Sequence, residues 1–311
     1  MASSPPLRVG TLAHTEMLTG DHARRRALLG RAEDGGLDHV FMADHVSFHT
    51  GLGMDGLIQA AIAASLAPRL SVYVGVYLLA LRHPTPVARQ LASLAESAPG
   101  RLILGVGVGG EDRHEIEVCG VDPTSRGRRT DESLAVLRGL LSGEPTTFHG
   151  EFFDIDQALI VPAPDPAIPI VIGGRAEAAL KRAARYGDGW LGIWSSAERY
   201  SATLEKIQAL AAEVGRTDPP ARNGIQLWIG IDADRARARE RLAKAMTAMY
   251  RIPYARFEKY SPYGTAAEVA DFLAPYVAAG CREFNLMAVA EDTETGIDAV
   301  AEIRRRLVDG S

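Results

Sequence analysis

Cysteine is nearly absent from this chain: Cys119 and Cys281 are the two in 311 residues, and their spacing chelates nothing. A disulfide framework and a zinc site are therefore not expected, and reduced thiols point to a cytoplasmic protein. Apolar runs approaching the ~20 residues that span a bilayer are missing, so no membrane partner is expected. The opening MASSPPLRVG lacks the basic stretch and apolar segment of an export signal. Also missing is any Lys/Arg block interleaved with aromatics. With a formal charge of −5 and a pI near 5.9, that argues against nucleic acid. The triplets Arg24–Arg26 and Arg304–Arg306 fall in amphipathic helical patterns and read as solvated helix faces. Neither a Gly-x-Ser-x-Gly elbow nor a His-Glu-x-x-His helix occurs, which leaves nucleophilic hydrolysis and metal chemistry without support.

What the chain does have is glycine at the ends of short apolar runs. In Arg101–Gly110 (RLILGVGVGG) and Ile168–Trp190 (IPIVIGGRAEAALKRAARYGDGW), Val, Ile and Leu stop abruptly at glycines. Such runs read as buried parallel strands. Glycine at a strand's carboxyl end lets backbone approach a ligand. The helical pattern after Gly173–Gly174 adds free N–H groups suited to an anion. Together they suggest a phosphate, and so a nucleotide-like cofactor, held at the top of a parallel sheet.

Strand and helix patterns alternate along the chain. Strands are expected at Leu7–Ala13, His39–Ala43, Leu70–Leu79, Leu102–Val108, Ile170–Ile172, Gly189–Ile193, Ile225–Ile231 and Glu283–Met287. Helices are expected at Asp21–Asp34, near Gly56–Leu66, after Pro84, at Arg128–Ser142, Glu177–Tyr186, Ala197–Val214 and Arg235–Ala248, and from a Thr265 N-cap with Glu268 as its capping-box partner. Thr147–Ile160 alternates around His149–Gly150 and reads as an inserted hairpin. Glu111–Ser125 and Tyr250–Tyr263 read as loops. Eight strand–helix pairs with no linker-like break predict one (β/α)₈ barrel over residues 1–311, with an open doubly wound sheet as the rival; in either, the site lies at the strands' carboxyl ends. Gly105–Gly110 (GVGVGG) matches the dinucleotide fingerprint formally, but it follows the fourth strand and a polar loop comes next, so a Rossmann turn is not expected.

GRLILGVGVGG, the helical stretch carrying Arg129 and Asp131, the FHGEFFDI hairpin and IPIVIGGRAEAALKRAARYGDGW occur in one order. That order resembles the bacterial-luciferase-like superfamily of flavin and deazaflavin oxidoreductases, from Val9 to about Leu307. The resemblance implies a luciferase-like (β/α)₈ TIM barrel with insertions, often a homodimer, with a cofactor in its mouth and a small-molecule substrate. It implies a phosphate on Gly173, Gly174 and Arg175. It also implies a ring against Asp44–His45, about Gly75–Tyr77 (Val76 and Tyr77), and Gly107–Glu111 (Gly107, Val108, Gly109). A bulge with a non-proline cis peptide is expected near Val76–Tyr77. Met42–Ala43–Asp44–His45, Arg82–His83–Pro84 and Gly110–Glu111 resemble the branch using coenzyme F420. One alternative is FMN with O₂, which would need a flavin reductase as partner; another is a barrel that binds a phosphorylated ligand without redox work.

Each candidate residue carries two readings. His45 passes a proton near the ring, or is satisfied by a loop carbonyl. Asp44 orients that imidazole, bonds the ring, or caps the next segment. Glu111 is a second acid or a solvated loop residue. His14, with Glu16, and His49 face substrate or solvent. Trp194 walls an apolar pocket, whereas Trp190 belongs to the core. Tyr186 packs its helix or touches the cofactor. Tyr254 and the cations Arg251, Arg256 and Lys259 sit in a loop that meets substrate or the cofactor tail, or is merely solvated. Asp188, between two glycines, reads as a turn residue.

Overall fold

The computed structural model describes residues 5–49, 51, 53–110 and 112–309. Its strands are β1 (Arg8–Leu12), β2 (His39–Met42), β3 (Ser71–Leu78), β4 (Leu102–Gly107), β5 (Thr146–His149), β6 (Asp154–Ala158), β7 (Ile170–Gly173), β8 (Gly189–Ile193), β9 (Gly224–Ile231), β10 (Tyr263–Gly264) and β11 (Glu283–Val289). Eight of them pair in parallel in the order β9-β11-β1-β2-β3-β4-β7-β8, and β8 pairs with β9 to close the ring. Closure leaves no free edge. The strands are wrapped on both faces, so β4 is buried along its whole length and reads in sequence as an unbroken apolar run. The hairpin β5–β6 stands apart as an antiparallel pair, and β10 adds a short parallel pairing to β9. No helix among the described residues is long and apolar enough to cross a membrane.

Local chemistry sets where the helices begin. Asp21, Asp55 and Asp234 accept from backbone amides in the first turns of His22–Asp34, Gly56–Leu66 and Arg235–Tyr250. The Thr265–Glu268 capping box opens Ala266–Ala278 as expected. Two expectations need correction. Glu111–Ser125 is not all loop: a helix, Arg113–Val118, forms where the Asp112 carboxylate accepts from His114 N at 2.9 Å. Under two turns long, it is too short to display a helical period. The other is Tyr250–Tyr263, which contains 3₁₀ turns at Tyr254–Arg256 and Glu258–Tyr260 and ends in β10.

The barrel interior is layered. At its amino-terminal end Glu283, 1 % exposed, accepts from Arg222 at 2.8 and 3.0 Å, with Arg8 at 3.5 Å. One layer up, His39 Nε2 lies 2.7 Å from Asn285 Oδ1, both fully buried. Phe41, Tyr73, Ile103, Val171, Leu191 and Met287 then form an apolar plug. Above the plug β3 departs from regular pairing: Gly75–Val76 is a cis peptide, and the register with β4 shifts between Val74 and Tyr77. The expected bulge is therefore present, and it sets the shape of the mouth.

Candidate active site

A cavity of about 260 Å³ opens at the carboxyl ends of the strands. One wall is mostly backbone: Gly75–Val76 of β3, Gly107–Val108–Gly109 at the end of β4 and Gly173–Gly174 at the end of β7. The other is bulky, with Phe48, Trp228, Tyr250, Met249 and Met287. The geometry explains the glycines. At the bulge the Val76 side chain turns toward β4 and β7, where a Cβ on Gly107 would lie 2.4 Å from Val76 Cγ2, and one on Gly173 2.9 Å from Val76 Cγ1. Only hydrogen at both positions lets that side chain fit, which leaves a smooth wall suited to a flat ring. Gly174 serves a different need: its φ of +122 and the Ala179 Cβ 2.9 Å from a would-be Cβ make it the tight turn into Glu177–Tyr186. Trp190, in the core as expected, donates Nε1–H to Gly174 O at 2.7 Å and pins that turn.

The helix after this turn begins at Glu177, its N-cap Ala176 offers no side-chain cap, and the amides of Glu177 and Ala178 are left to face a ligand while Ala179 N bonds Ala176 O. Arg175 beside it is exposed, its guanidinium 5.2 Å over the Trp194 ring. Trp194 (φ 49) in turn packs against Tyr250 at 5.1 Å and Phe257 at 4.9 Å.

Asp44, 1 % exposed, ties three elements together. It accepts from Gly56 N and Leu78 N, each at 2.9 Å, and pairs with both terminal nitrogens of Arg82 at 2.7 and 2.8 Å. Burial raises its pKa, and the Arg82 charge and two amides pull against that rise. Arg82 also stacks on the buried Tyr77 ring at 4.3 Å. Asp44 thus frames the mouth, and the carboxylate on the imidazole of His45 comes from Glu115. His45 Nδ1 lies 3.2 and 3.3 Å from the two Glu115 oxygens, and Glu115 Oε1 accepts from Val46 N at 2.7 Å and Ser47 N at 3.1 Å. Glu115 is 3 % exposed.

Over residues 7–283 the chain matches the family model described as luciferase-like monooxygenase. It belongs to that family. It is 31 % identical over 245 residues to the F420-dependent glucose-6-phosphate dehydrogenase of Kineococcus radiotolerans, covering 76 % of this chain and 71 % of that one. Among solved structures, an F420-dependent secondary alcohol dehydrogenase in complex with an F420-acetone adduct matches with a TM-score of 0.84 at 23 % identity, over 97 % of this chain and 99 % of that one. The EDTA monooxygenase of Chelativorans sp. BNC1 matches with a TM-score of 0.78 at 15 % identity, over 98 % and 95 %. At such identities these two structures share the fold with the present luciferase-like chain.

Asp44, His45, Val76, Gly107, Val108, Gly109, Gly173 and Gly174, all singled out from the sequence, line one cavity of this luciferase-like barrel. Tyr77 is buried behind that wall. Glu111 lies outside the described residues. The remaining candidates stand back from the cavity. His14 is half-buried ahead of the turn Thr15–Leu18, burial lowering its pKa against the pull of Glu16. His49 stacks on Phe48 at 4.0 Å, Trp194 lies behind Tyr250, and Tyr254 is buried with its hydroxyl donating to Ser261 O at 3.2 Å. Asp188 accepts from Ile170 N and Arg138, as a turn residue does. Sequence reasoning missed Glu115, Phe48, Gln226 and Trp228. For Glu115 the available signal was Asp112 as an N-cap. A shallower groove of about 580 Å³ runs along the outer helix Thr293–Asp309, with Asp298, Glu302 and Arg305, away from the glycine turns. No group of three or more His, Cys, Asp or Glu able to hold a metal occurs among the described residues.

Proposed function

We propose that this chain is an oxidoreductase that moves a hydride between coenzyme F420 and a small organic substrate. The observation that carries the reading is the low wall formed where the Val76 side chain packs over Gly107 and Gly173. It suits a flat ring system lying edge to edge with main chain, and its end at Gly174 and the uncapped Glu177 helix suits a phosphate ester. The F420-dependent relative of Kineococcus favours the deazaflavin over FMN.

In this reading Val76, Gly107, Val108 and Gly109 support the ring, with Asp44, Arg82 and Tyr77 holding the frame behind it. Gly173, Gly174 and Arg175 take the phosphate. Bound there, the deazaflavin supplies the hydride acceptor or donor. Phe48, Trp228, Tyr250 and Met287 exclude water from the substrate side, and the Trp228 indole, donating to Tyr250 Oη at 2.9 Å, fixes that wall. His14, His49, Trp194 and Tyr254 shape it from behind. His45 Nε2 takes up or returns the substrate proton, and Glu111 is the second acid.

Parallel fluorescence titrations with oxidised F420 and with FMN test the proposal. Micromolar or tighter binding of F420, with FMN at least ~10-fold weaker, is expected. The reverse order would make the chain a reductase-fed FMN monooxygenase, to be assayed for substrate-dependent O₂ uptake. Binding of neither would remove both redox readings.

A further inference from the structure

Glu115 is a buried carboxylate with a full set of donors. Oε1 receives two backbone amides, Val46 N and Ser47 N, and both oxygens face His45 Nδ1. An oxygen that already accepts from two backbone amides acts here as an acceptor. The imidazole nitrogen facing it must therefore be the donor. His45 lines the cavity, and among the described residues no group bonds to its Nε2. Its ring is also held from the side by Phe48 at 4.4 Å.

We infer that Glu115 is the positioning residue of this site: it fixes His45 as the Nδ1–H tautomer and presents a bare Nε2 lone pair to the cavity. This rests on the hydride-transfer reading for its chemical use, since a carbinol oxidised there must lose its hydroxyl proton as the C–H hydride departs, and Nε2 is the atom placed to receive it. In the reverse direction the imidazolium returns that proton to the carbonyl oxygen, and the Glu115 carboxylate balances its charge. Arg113–Val118, the short helix that carries Glu115, thereby acquires a purpose: it delivers one carboxylate beneath the β2 loop.

The near-isosteric variant Glu115→Gln separates this role from a scaffolding one. Its amide oxygen can still accept from Val46 N and Ser47 N, but its NH₂ now faces Nδ1 and favours the opposite tautomer. Nitrogen-15 spectra of the imidazoles in the ligand-free protein, recorded above the histidine titration range with His45→Gln to assign the signal, read the tautomer directly. The wild type is expected to carry its proton on Nδ1 and Glu115→Gln on Nε2, with melting curves remaining cooperative. In F420 titrations the two proteins should agree within about threefold, while turnover, once a substrate is in hand, should fall ~100-fold or more in kcat. A wild-type signal protonated at Nε2, or one unchanged by Glu115→Gln, would overturn the assignment. Should Glu115→Gln fail to fold, the wild-type signal alone decides. Failure of the wild type to bind F420 would instead remove the hydride-transfer reading, with the tautomer still judged by its own spectrum.

Discussion

The two ends of this barrel are built from opposite materials. At the amino-terminal end the interior is filled with paired charge: Glu283 between Arg222 and Arg8, then His39 on Asn285. At the carboxyl end side chains are pared away from one side: glycines stand at 75, 107, 109, 173 and 174, opposite a wall of bulky side chains. Strands enter both ends with the same parallel pairing, so the difference lies in the inward-facing residues and in the β3 irregularity. A filled, neutralised end supports the ring of strands. An end cleared down to main chain is one on which a ligand can lie.

If that division is right, substitutions at the two ends separate stability from ligand affinity. The largest effect is expected from Glu283→Ala, which removes the buried carboxylate shared by the half-buried Arg222 and Arg8. A loss of about 3–5 kcal/mol in chemical denaturation is expected, with F420 affinity unchanged. Gly174→Val acts at the other end. With φ at +122 and Ala179 in the way, it should weaken F420 binding ~100-fold, about 2.7 kcal/mol, in titration while unfolding stays cooperative.

A third test uses pH. Burial holds the His39 pKa below the usual 6.5, with Glu283 and Asn285 opposing only in part. The unfolded chain therefore binds a proton that the folded chain refuses. The His39 contribution is complete above about pH 6.5 and is lost as pH falls toward the depressed folded value, at up to ~1.4 kcal/mol per pH unit. The slope should be shallower in His39→Gln when denaturation midpoints are compared across that range. The smallest effect is expected on the outer rim beside the carboxyl end of β9, outside the cavity. Thr265→Ala removes a capping box and should cost ~1 kcal/mol in stability with no change in binding.

The fold was legible because a strand covered on both faces shows as an apolar run, and because turns into helices announce themselves with Asp, Thr and Gly. The same double burial hid part of the cavity wall. In β9 and β11 the inward residues Trp228 and Met287 alternate with equally apolar outward ones, Leu227, Ile229 and Leu286, so no period marks which side faces the ligand. Glycine was easier to see than to interpret. The sequence pointed to a ring on Gly107 and a phosphate on Gly173, whereas the immediate neighbour of both glycines is the Val76 side chain, placed there by the β3 irregularity. Glu115 was illegible for a third reason: its helix has six residues, and its bonds to the loop after β2 span about seventy positions.

Hydrogen–deuterium exchange of the protein with and without F420 tests the central claim most directly. Protection confined to 43–48, 75–78, 107–110 and 173–179, with the amino-terminal halves of β1, β9 and β11 unaltered, is the predicted result. Protection that instead follows the helix Thr293–Asp309 or the amino-terminal end, leaving the glycine turns unchanged, would contradict it.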